Sequence, residues 1–134
     1  MFERPHGGEC AITVSVNLNL LDEQNSAEEF AELASSAGVT VVYELTATRQ
    51  RPDPHSFIGS GKLQELGELV LAYKAEVVLF NHVLNPGQER NLERILQCKV
   101  LDRTGLILDI FAQRASSFEG KLQVELAQLK HLST

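Results

Sequence analysis

The sequence contains no tryptophan, and aromatic residues make up only 6% of its 134 residues. Hydrophobic residues of all kinds nevertheless reach 43%, an ordinary value for a globular protein. A chain of this length is expected to form one domain with a single core. Because few aromatic side chains are present, that core must consist mainly of leucine, valine, isoleucine and alanine, which is typical of helices packed on a buried parallel sheet.

Cysteine and long apolar runs are also scarce. The two cysteines, Cys10 and Cys98, are far apart and belong to no closely spaced ligand motif. We therefore predict buried, apolar-like thiols in a reducing compartment and no zinc site. The first residues contain no apolar signal segment, and no run approaches the roughly 20 apolar residues that cross a bilayer. These features predict a cytoplasmic protein without membrane contact.

Positive charge is in deficit, because the formal net charge is −6. Nucleic-acid binding that is independent of base sequence depends mostly on a basic face of the protein. The charge balance therefore argues against indiscriminate nucleic-acid binding, although it is compatible with a local basic patch on an acidic domain.

The hydrophobic pattern predicts strands and helices in alternation. Alternate apolar residues at 12–18 indicate a first strand, and Val77–Phe80 has the continuous apolar character of a strand covered on both faces. Capping-box patterns mark helix starts at Ser26 and Asn85, and Gly38 marks a helix end. The remaining predicted elements are strands at 39–45 and 100–101, helices from Lys62 to Tyr73 and after Asp102, and a long loop from Thr46 to Gly61.

This alternation favours an α/β fold: a four-stranded parallel sheet with flanking helices, for which we predict the strand order 2-1-3-4. We assign residues 1–115 to the α/β domain and residues 116–134 to the start of a helical arm. In the arm, Leu122, Leu126 and Leu129 form an apolar seam suited to a partner helix. That partner would be a helix beyond residue 134 or the same seam of a second chain, which would give a dimer.

The carboxyl ends of the strands are where ligands gather in open parallel sheets. The loops predicted there bring basic residues toward one edge, where they could contact RNA phosphates. The alternative is that these basic residues are scattered surface charges without a binding role. The candidate RNA- or ribosome-binding residues are Arg49, Arg51, Lys62, Arg90, Arg94 and Arg103. Asp102 and Thr104 also suit a helix cap, so a structural role for the turn around Arg103 competes with RNA contact.

A phosphate-binding turn is suggested by the residues that open the second helix, Gly59, Ser60, Gly61 and Lys62. The residue after the lysine is Leu63, whereas the Walker A motif has serine or threonine there to bind magnesium. The alternatives are weak nucleotide or anion binding and a tight helix entry with a solvated lysine. We predict no catalytic residues and no metal site, and we interpret His55 and His82 as structural or solvated.

Three longer segments resemble one family. They are Arg51-Pro-Asp-Pro-His-Ser-Phe-Ile-Gly-Ser-Gly-Lys62, Leu84-Asn-Pro-Gly-Gln-Glu-Arg-Asn-Leu-Glu93 and Asp102-Arg-Thr-Gly-Leu-Ile-Leu-Asp-Ile-Phe-Ala-Gln-Arg114. In this order they are similar to segments of the HflX-type GTPases, which are bacterial translational GTPases of the large ribosomal subunit. By this resemblance the chain is identified as the front domain of such a protein, ending before the GTPase domain.

The resemblance implies an α/β domain that lies against ribosomal RNA, followed by a two-helix arm and a GTPase domain. It implies a protein that separates stalled ribosomes under the control of GTP hydrolysis. The implied partners are the large ribosomal subunit and its RNA, the protein's own GTPase domain and the missing arm helix. GTP and magnesium are expected for the full-length protein, and no cofactor is expected in this segment.

Front-domain ATP binding, which the resemblance implies for some members, matches the alternative of a phosphate-binding turn at Gly59–Lys62. The family's GTP-binding motifs have no counterpart in this sequence. We therefore do not expect the chain by itself to hydrolyse GTP.

Overall fold

A computed structural model of the chain describes residues 9–18 and 26–116. Its centre is a sheet of four parallel strands in the order β2-β1-β3-β4. The strands are β1 (Cys10–Asn17), β2 (Thr40–Thr48), β3 (Val77–Phe80) and β4 (Lys99–Leu101). The predicted α/β fold and the predicted strand order 2-1-3-4 are both confirmed.

Helices alternate with the strands and cover both faces of the sheet. They are α1 (Ala27–Ser36), α2 (Ser60–Tyr73), α3 (Pro86–Leu96) and α4, which is described over residues 103–116. Apolar residues of α2 and α3 pack in one core cluster with Val78 and Phe80 of β3. Those of α1 and α4 pack in a second cluster with Val77 and Leu79. All four residues of β3 are buried, which confirms the interpretation of this apolar run.

Local hydrogen bonds fix the helix ends that the sequence predicts. Ser26 Oγ accepts hydrogen bonds from two first-turn N–H groups of α1, at 3.1 and 3.3 Å. Asn85 and Gln88 form a complete capping box at the start of α3, and Pro86 occupies the first turn. Gly38 follows the end of α1 with a φ of 90°, in the region that glycine favours. A good N-cap stabilises its helix by about 1 kcal/mol.

Strand β2 is longer than predicted, and this shortens the loop that follows it. The sequence pattern suggested an end at Leu45, but pairing with β1 continues to Thr48. Threonine suits a strand, and the neighbouring strand supplies hydrogen bonds that the local pattern does not reveal. The predicted loop start at Thr46 is therefore wrong, since the loop covers residues 49–59. Helix α2 also begins earlier than predicted, at Ser60.

The two cysteines are free, and Cys10 is only half-buried, so the predicted burial is wrong for Cys10. Cys98 is buried in the core cluster next to α2 and α3. Burial, followed by the nearby charge of Glu93, raises the pKa of its thiol to about 11. Because only the thiolate is strongly nucleophilic, Cys98 is a packing residue at neutral pH.

Some predictions concern residues that the structure does not describe. The seam at Leu122, Leu126 and Leu129 lies outside the described ranges, as does all of the proposed arm after Ser116. The boundary placed at residue 115 stays a prediction. Within the described ranges, no helix is both long enough and apolar enough to cross a bilayer.

Candidate nucleic-acid interface

The loop of residues 49–59 follows β2 at the carboxyl edge of the sheet. Arg49 holds both ends of this loop, because its Nε donates to Arg51 O at 3.1 Å and its Nη1 donates to Ile58 O at 3.3 Å. The guanidinium lies against Gly59, where any Cβ would clash with Nη1. Gly59 also has a φ of 84°, which favours glycine, and a Cβ there would displace the guanidinium of Arg49.

The middle of the loop closes on itself. Backbone hydrogen bonds run in both directions between Asp53 and Phe57, at 3.0 and 2.8 Å. Phe57 has a φ of 72°, which is uncommon for a bulky residue. Its ring is buried and stacks on the ring of His82, with the ring centroids 4.8 Å apart. Burial and stacking offset the backbone strain, which is on the order of 1–3 kcal/mol.

His82 joins the loop to the sheet. Its Nε2 accepts a hydrogen bond from Val16 N–H at 2.8 Å, and its side chain is buried. This bond continues the pairing of β1 beyond the end of β3. Because Nε2 is the acceptor, the ring must be neutral, with its proton on Nδ1. His82 therefore has the structural role that was one of its two interpretations, whereas His55 is exposed on the loop.

Two polar side chains of α3 hold the loop from the other side. Gln88 Nε2 donates to Asp53 O at 2.8 Å, and Asn91 Nδ2 donates to His55 O at 3.1 Å. Gln88 Oε1 simultaneously accepts from Asn85 N–H at 3.0 Å, within the capping box. The Arg-Pro-Asp-Pro segment and the start of α3 are therefore one structural unit.

This unit presents three exposed arginines. Arg51 lies in the loop, and Arg90 and Arg94 lie one helical turn apart on α3. Arg94 Nη2 donates to Asn91 Oδ1 at 3.4 Å, which places the guanidinium beside the contact between helix and loop. We refer to residues 51–55 together with Arg90, Asn91 and Arg94 as the loop–α3 surface.

Charge on α3 is divided between two edges of the helix. Arg90 and Arg94 share one edge, and Glu89 and Glu93 share another, because residues four apart lie on the same side of a helix. Burial raises the pKa of Glu89, and the carboxylates of Asp102 and Glu93 raise it further. Like charges four residues apart destabilise an isolated helix. Helix stability alone therefore does not explain this arrangement.

The turn between β4 and α4 forms a second polar network. Asp102 Oδ1 accepts from Gly105 N–H at 2.8 Å, and Oδ2 accepts from Leu84 N–H at 3.1 Å. Arg103 Nη1 donates to Oδ1 of Asn81 at 3.5 Å, and Asn81 is 1% exposed. These bonds give the turn the capping role that was one of its two interpretations, and Arg103 takes part in them.

The turn that begins α2 has no acidic residue in its first turn and no side-chain cap. Gly59 N–H donates to Ser56 Oγ at 3.1 Å, and Lys62 Nζ pairs with Glu65 Oε2 at 2.9 Å. Leu63 packs in the core, where a Walker A motif would place a magnesium-binding hydroxyl. These residues therefore do not fit a magnesium–nucleotide site. In the described part of the chain, no group of three or more His, Cys, Asp or Glu residues could hold a metal ion.

The sequence interpretation missed the side chains that hold the loop. Gln88 was explained by its capping box alone, Asn91 was not singled out, and Arg49 was assigned to a binding surface. One signal was available: the loop is rich in proline, and its carbonyl groups need donors from elsewhere. Polar residues three apart on the helix could have suggested those donors, but only a structure shows that α3 lies beside the loop.

The parallel sheet and its polar carboxyl edge define an open α/β domain. The chain belongs to the GTP-binding GTPase N-terminal family, whose model matches residues 24–112. It is 54% identical over 134 residues to GTPase HflX of Escherichia coli (strain K12), covering 100% of this chain and 32% of that protein. It is 43% identical over 118 residues to GTPase HflX of Thermococcus kodakarensis, covering 88% and 26%. The predicted HflX-type front domain is confirmed.

Solved structures give the same picture. The chain is similar to a GTP-binding protein from the hyperthermophilic archaeon Sulfolobus solfataricus in complex with GDP, with a TM-score of 0.61 and 28% identity over 90% of this chain and 36% of that one. It is also similar to SsGBP in its GDP complex, with a TM-score of 0.63 and 28% identity over 90% and 34%. The chain spans about a third of the length of the curated relatives and solved structures cited here.

Proposed function

We propose that this chain is the docking domain of an HflX-like GTPase and that it binds the large ribosomal subunit through ribosomal RNA. The loop–α3 surface carries the proposal, because Arg51, Arg90 and Arg94 are exposed beside a loop whose backbone is held in place by hydrogen bonds. Arginine binds phosphate oxygens with charge-assisted, bidentate hydrogen bonds. A preordered surface loses less conformational entropy on binding than a flexible loop would.

The six basic residues singled out in the sequence have different roles in this proposal. Arg51, Arg90 and Arg94 contact phosphates directly. Arg49 is a positioning residue, since its guanidinium binds two loop carbonyls. The two other candidates contribute less because they have partners within the domain, namely Lys62 with Glu65 and Arg103 with Asn81.

The remaining functions belong to the longer protein of which this domain is proposed to be part. GTP and magnesium would bind to the GTPase domain, outside residues 1–134. Residues 1–115 would dock on the large subunit in the cytoplasm, and residues 116–134 would begin the arm. Docking at this surface would serve the separation of stalled ribosomes, driven by the GTPase cycle of the whole protein.

The test is binding of the chain to purified large ribosomal subunits at several salt concentrations. Replacing Arg51, Arg90 and Arg94 together by glutamate should abolish measurable binding. For the unmodified chain, affinity should fall with salt, because phosphate contacts release counterions. Each single change to alanine should reduce the slope of log affinity against log salt by about one.

Arg114→Glu is the matched control. Arg114 is exposed on α4, outside the loop–α3 surface, and its reversal makes the same change in net charge as the reversal of any one arginine of that surface. Equal losses in the control and in a single loop–α3 reversal would mean that only net charge matters. Unchanged binding by the triple variant would overturn the proposal. It would favour a domain that merely positions the arm and restrains the GTPase.

A second candidate function is binding of phosphate, or of a nucleotide phosphate without magnesium, at Gly59–Lys62. The observation in its favour is that the start of α2 has neither an acidic residue nor a side-chain cap, so its positive end is not neutralised locally. Calorimetry with ATP and GTP tests this candidate. Heat of binding that disappears in Lys62→Ala would support it, and no heat at millimolar nucleotide would exclude it.

A further inference from the structure

The imidazole of His82 is a buried titratable group that serves as a hydrogen-bond acceptor. The residue is 7% exposed, and its Nε2 lies 2.8 Å from the backbone nitrogen of Val16. A neutral imidazole accepts such a bond at one nitrogen, whereas a protonated imidazole carries N–H groups at both nitrogens and accepts none. The hydrogen bond from Val16 and the protonated form of the ring therefore exclude each other.

A proton on Nε2 forces the ring out of its present position. Two N–H donors would face each other across the distance that the hydrogen bond now spans, and the added charge would be buried. Burial of a charge is costly unless the charge is paired and hydrogen-bonded, so the protonated ring is favoured where water reaches it. Because Phe57 stacks on this ring, with the ring centroids 4.8 Å apart, the displacement also removes a support of the loop.

The part of the loop around Phe57 responds to this loss because its backbone is strained. The φ of 72° is unfavourable for a bulky residue and persists only where the surrounding contacts hold it. The hydrogen bonds that Gln88 and Asn91 donate to the loop do not involve His82. Opening is therefore confined to the residues around Phe57, while α3 stays bound to the rest of the loop.

Charged side chains of both signs lie on the elements around His82. In the turn after β4, Arg103 N–H donates to His82 O at 3.0 Å, and the carboxylate of Asp102 accepts two backbone N–H bonds. A neighbouring arginine disfavours a protonated imidazole, and a neighbouring carboxylate favours it. The other elements contribute Arg49, Arg51, Asp53 and His55 in the loop and Glu89 in the first turn of α3, whereas Val16 and Asn17 of β1 are uncharged. Arg103 therefore opposes protonation while the ring is in place.

We propose that His82 is a pH-sensitive switch, which joins the loop to the end of β1 when its ring is neutral and releases the loop when its ring is protonated. An exposed histidine has a pKa of about 6.5, so the opened form takes up a proton below that pH. The closed form is therefore favoured at neutral pH, and this preference is lost as the pH falls. If the loop–α3 surface binds RNA as proposed above, acid weakens that binding, but the switch does not depend on that function.

The test is hydrogen exchange of single backbone amides, followed by NMR from about pH 7.5 to about pH 5, on both sides of the ordinary histidine pKa. Exchange is expressed as a protection factor, which removes its intrinsic dependence on pH. Protection at Val16 should fall by up to about tenfold per unit of pH, because opening takes up one proton. Phe57 N–H, which donates to Asp53 O at 2.8 Å, should lose protection in parallel. Leu79 in the interior strand β3 should keep its protection, because opening is local.

His82→Gln is the main variant. Glutamine offers an oxygen as acceptor and does not titrate, so protection at Val16 should no longer depend on pH. His55→Gln is the matched control, because His55 is exposed in the same loop, and it should leave the pH dependence unchanged. In the unmodified chain, the ring signals of His82 should titrate together with the loss of protection at Val16, which tests the switch without any substitution.

Three results would overturn the proposal. The first is protection at Val16 that stays constant over this range of pH. The second is an equal loss in His82→Gln and in the unmodified chain, which would assign the effect to carboxyl groups. The third is a simultaneous loss at Val16 and Leu79, which would mean that acid unfolds the whole domain. None of these results decides whether the loop–α3 surface binds RNA, which the measurements with large subunits test separately.

Discussion

Helices α3 and α4 lie on opposite faces of the same sheet and differ in what they present to solvent. The outer side of α3 is charged, and its polar residues Gln88 and Asn91 bind the neighbouring loop. The outer side of α4 is apolar at Leu108 and Phe111, which are 62% and 63% exposed. The inner faces of both helices are ordinary core. The outer faces therefore differ in the partners that they suit: the arginines of α3 suit a polyanion, as proposed above, whereas the apolar face of α4 does not.

The largest expected effect concerns the ring that anchors the loop–α3 surface. Phe57→Ala should destabilise the domain by about 3 kcal/mol, the usual loss for a truncated buried phenylalanine, because alanine keeps the unfavourable positive φ. Urea denaturation measures the loss. On the α4 side, Phe111→Ala should change the free energy of unfolding of the monomer by less than about 0.5 kcal/mol. Equal losses of unfolding free energy in the two variants would contradict the difference between the loop–α3 surface and the outer side of α4.

A smaller effect is expected when only the hydrogen-bond acceptor of His82 is removed. His82→Phe keeps an aromatic ring for Phe57 to stack on but leaves Val16 N–H buried without its partner. An unsatisfied buried donor costs about 1–3 kcal/mol. The change should appear in urea denaturation and as faster hydrogen exchange at Val16. Wild-type exchange there would show that the stacking, not the hydrogen bond, fixes the loop.

A third variant removes one hydrogen bond that holds the loop and leaves the net charge unchanged. Asn91→Ala removes the donor to His55 O, for a loss of about 1 kcal/mol. Hydrogen exchange should increase within residues 53–57, and affinity for the large subunit should fall while the salt dependence stays the same. Gln64→Ala is the control, because Gln64 is an uncharged polar residue exposed on α2 outside the surface. A loss of affinity without faster loop exchange would contradict the positioning role of Asn91.

The smallest effect has a defined dependence on pH. The pKa of Glu89 is raised in the folded protein above its ordinary 4.5, so ionisation of this carboxyl disfavours folding. The favourable contribution of its neutral form is present below 4.5 and is lost as the pH rises through the folded pKa. Glu89→Gln should therefore stabilise the domain at pH 7, by a few tenths of a kcal/mol. The gain should vanish in acid; a constant gain would point to packing instead.

Local patterns predicted the parts of this fold that depend on neighbours in sequence. Ser26 and Asn85 cap their helices through residues two or three positions away, and the apolar run of β3 reflects burial on both faces. The end of β2 and the hydrogen bonds between α3 and the loop depend on contacts between segments that are far apart in the chain. Arg49 illustrates the difference: its charge suggested a phosphate contact, but two nearby carbonyls bind its guanidinium. The sequence pattern located the candidate surface, but it did not show which arginines are exposed and which hold the loop in place.

The side chain of Gln88 has a second role besides its part in the capping box. For the helix start alone, glutamine and glutamate are interchangeable, since either offers an oxygen to the backbone of Asn85. Here the other half of the group is an NH2 that reaches Asp53 O, so the orientation of the amide is fixed by its two neighbours. A carboxylate would keep the helix start and meet the loop oxygen with repulsion. At this position the exchange of glutamine for glutamate would remove one of the two side-chain hydrogen bonds that join the loop to α3.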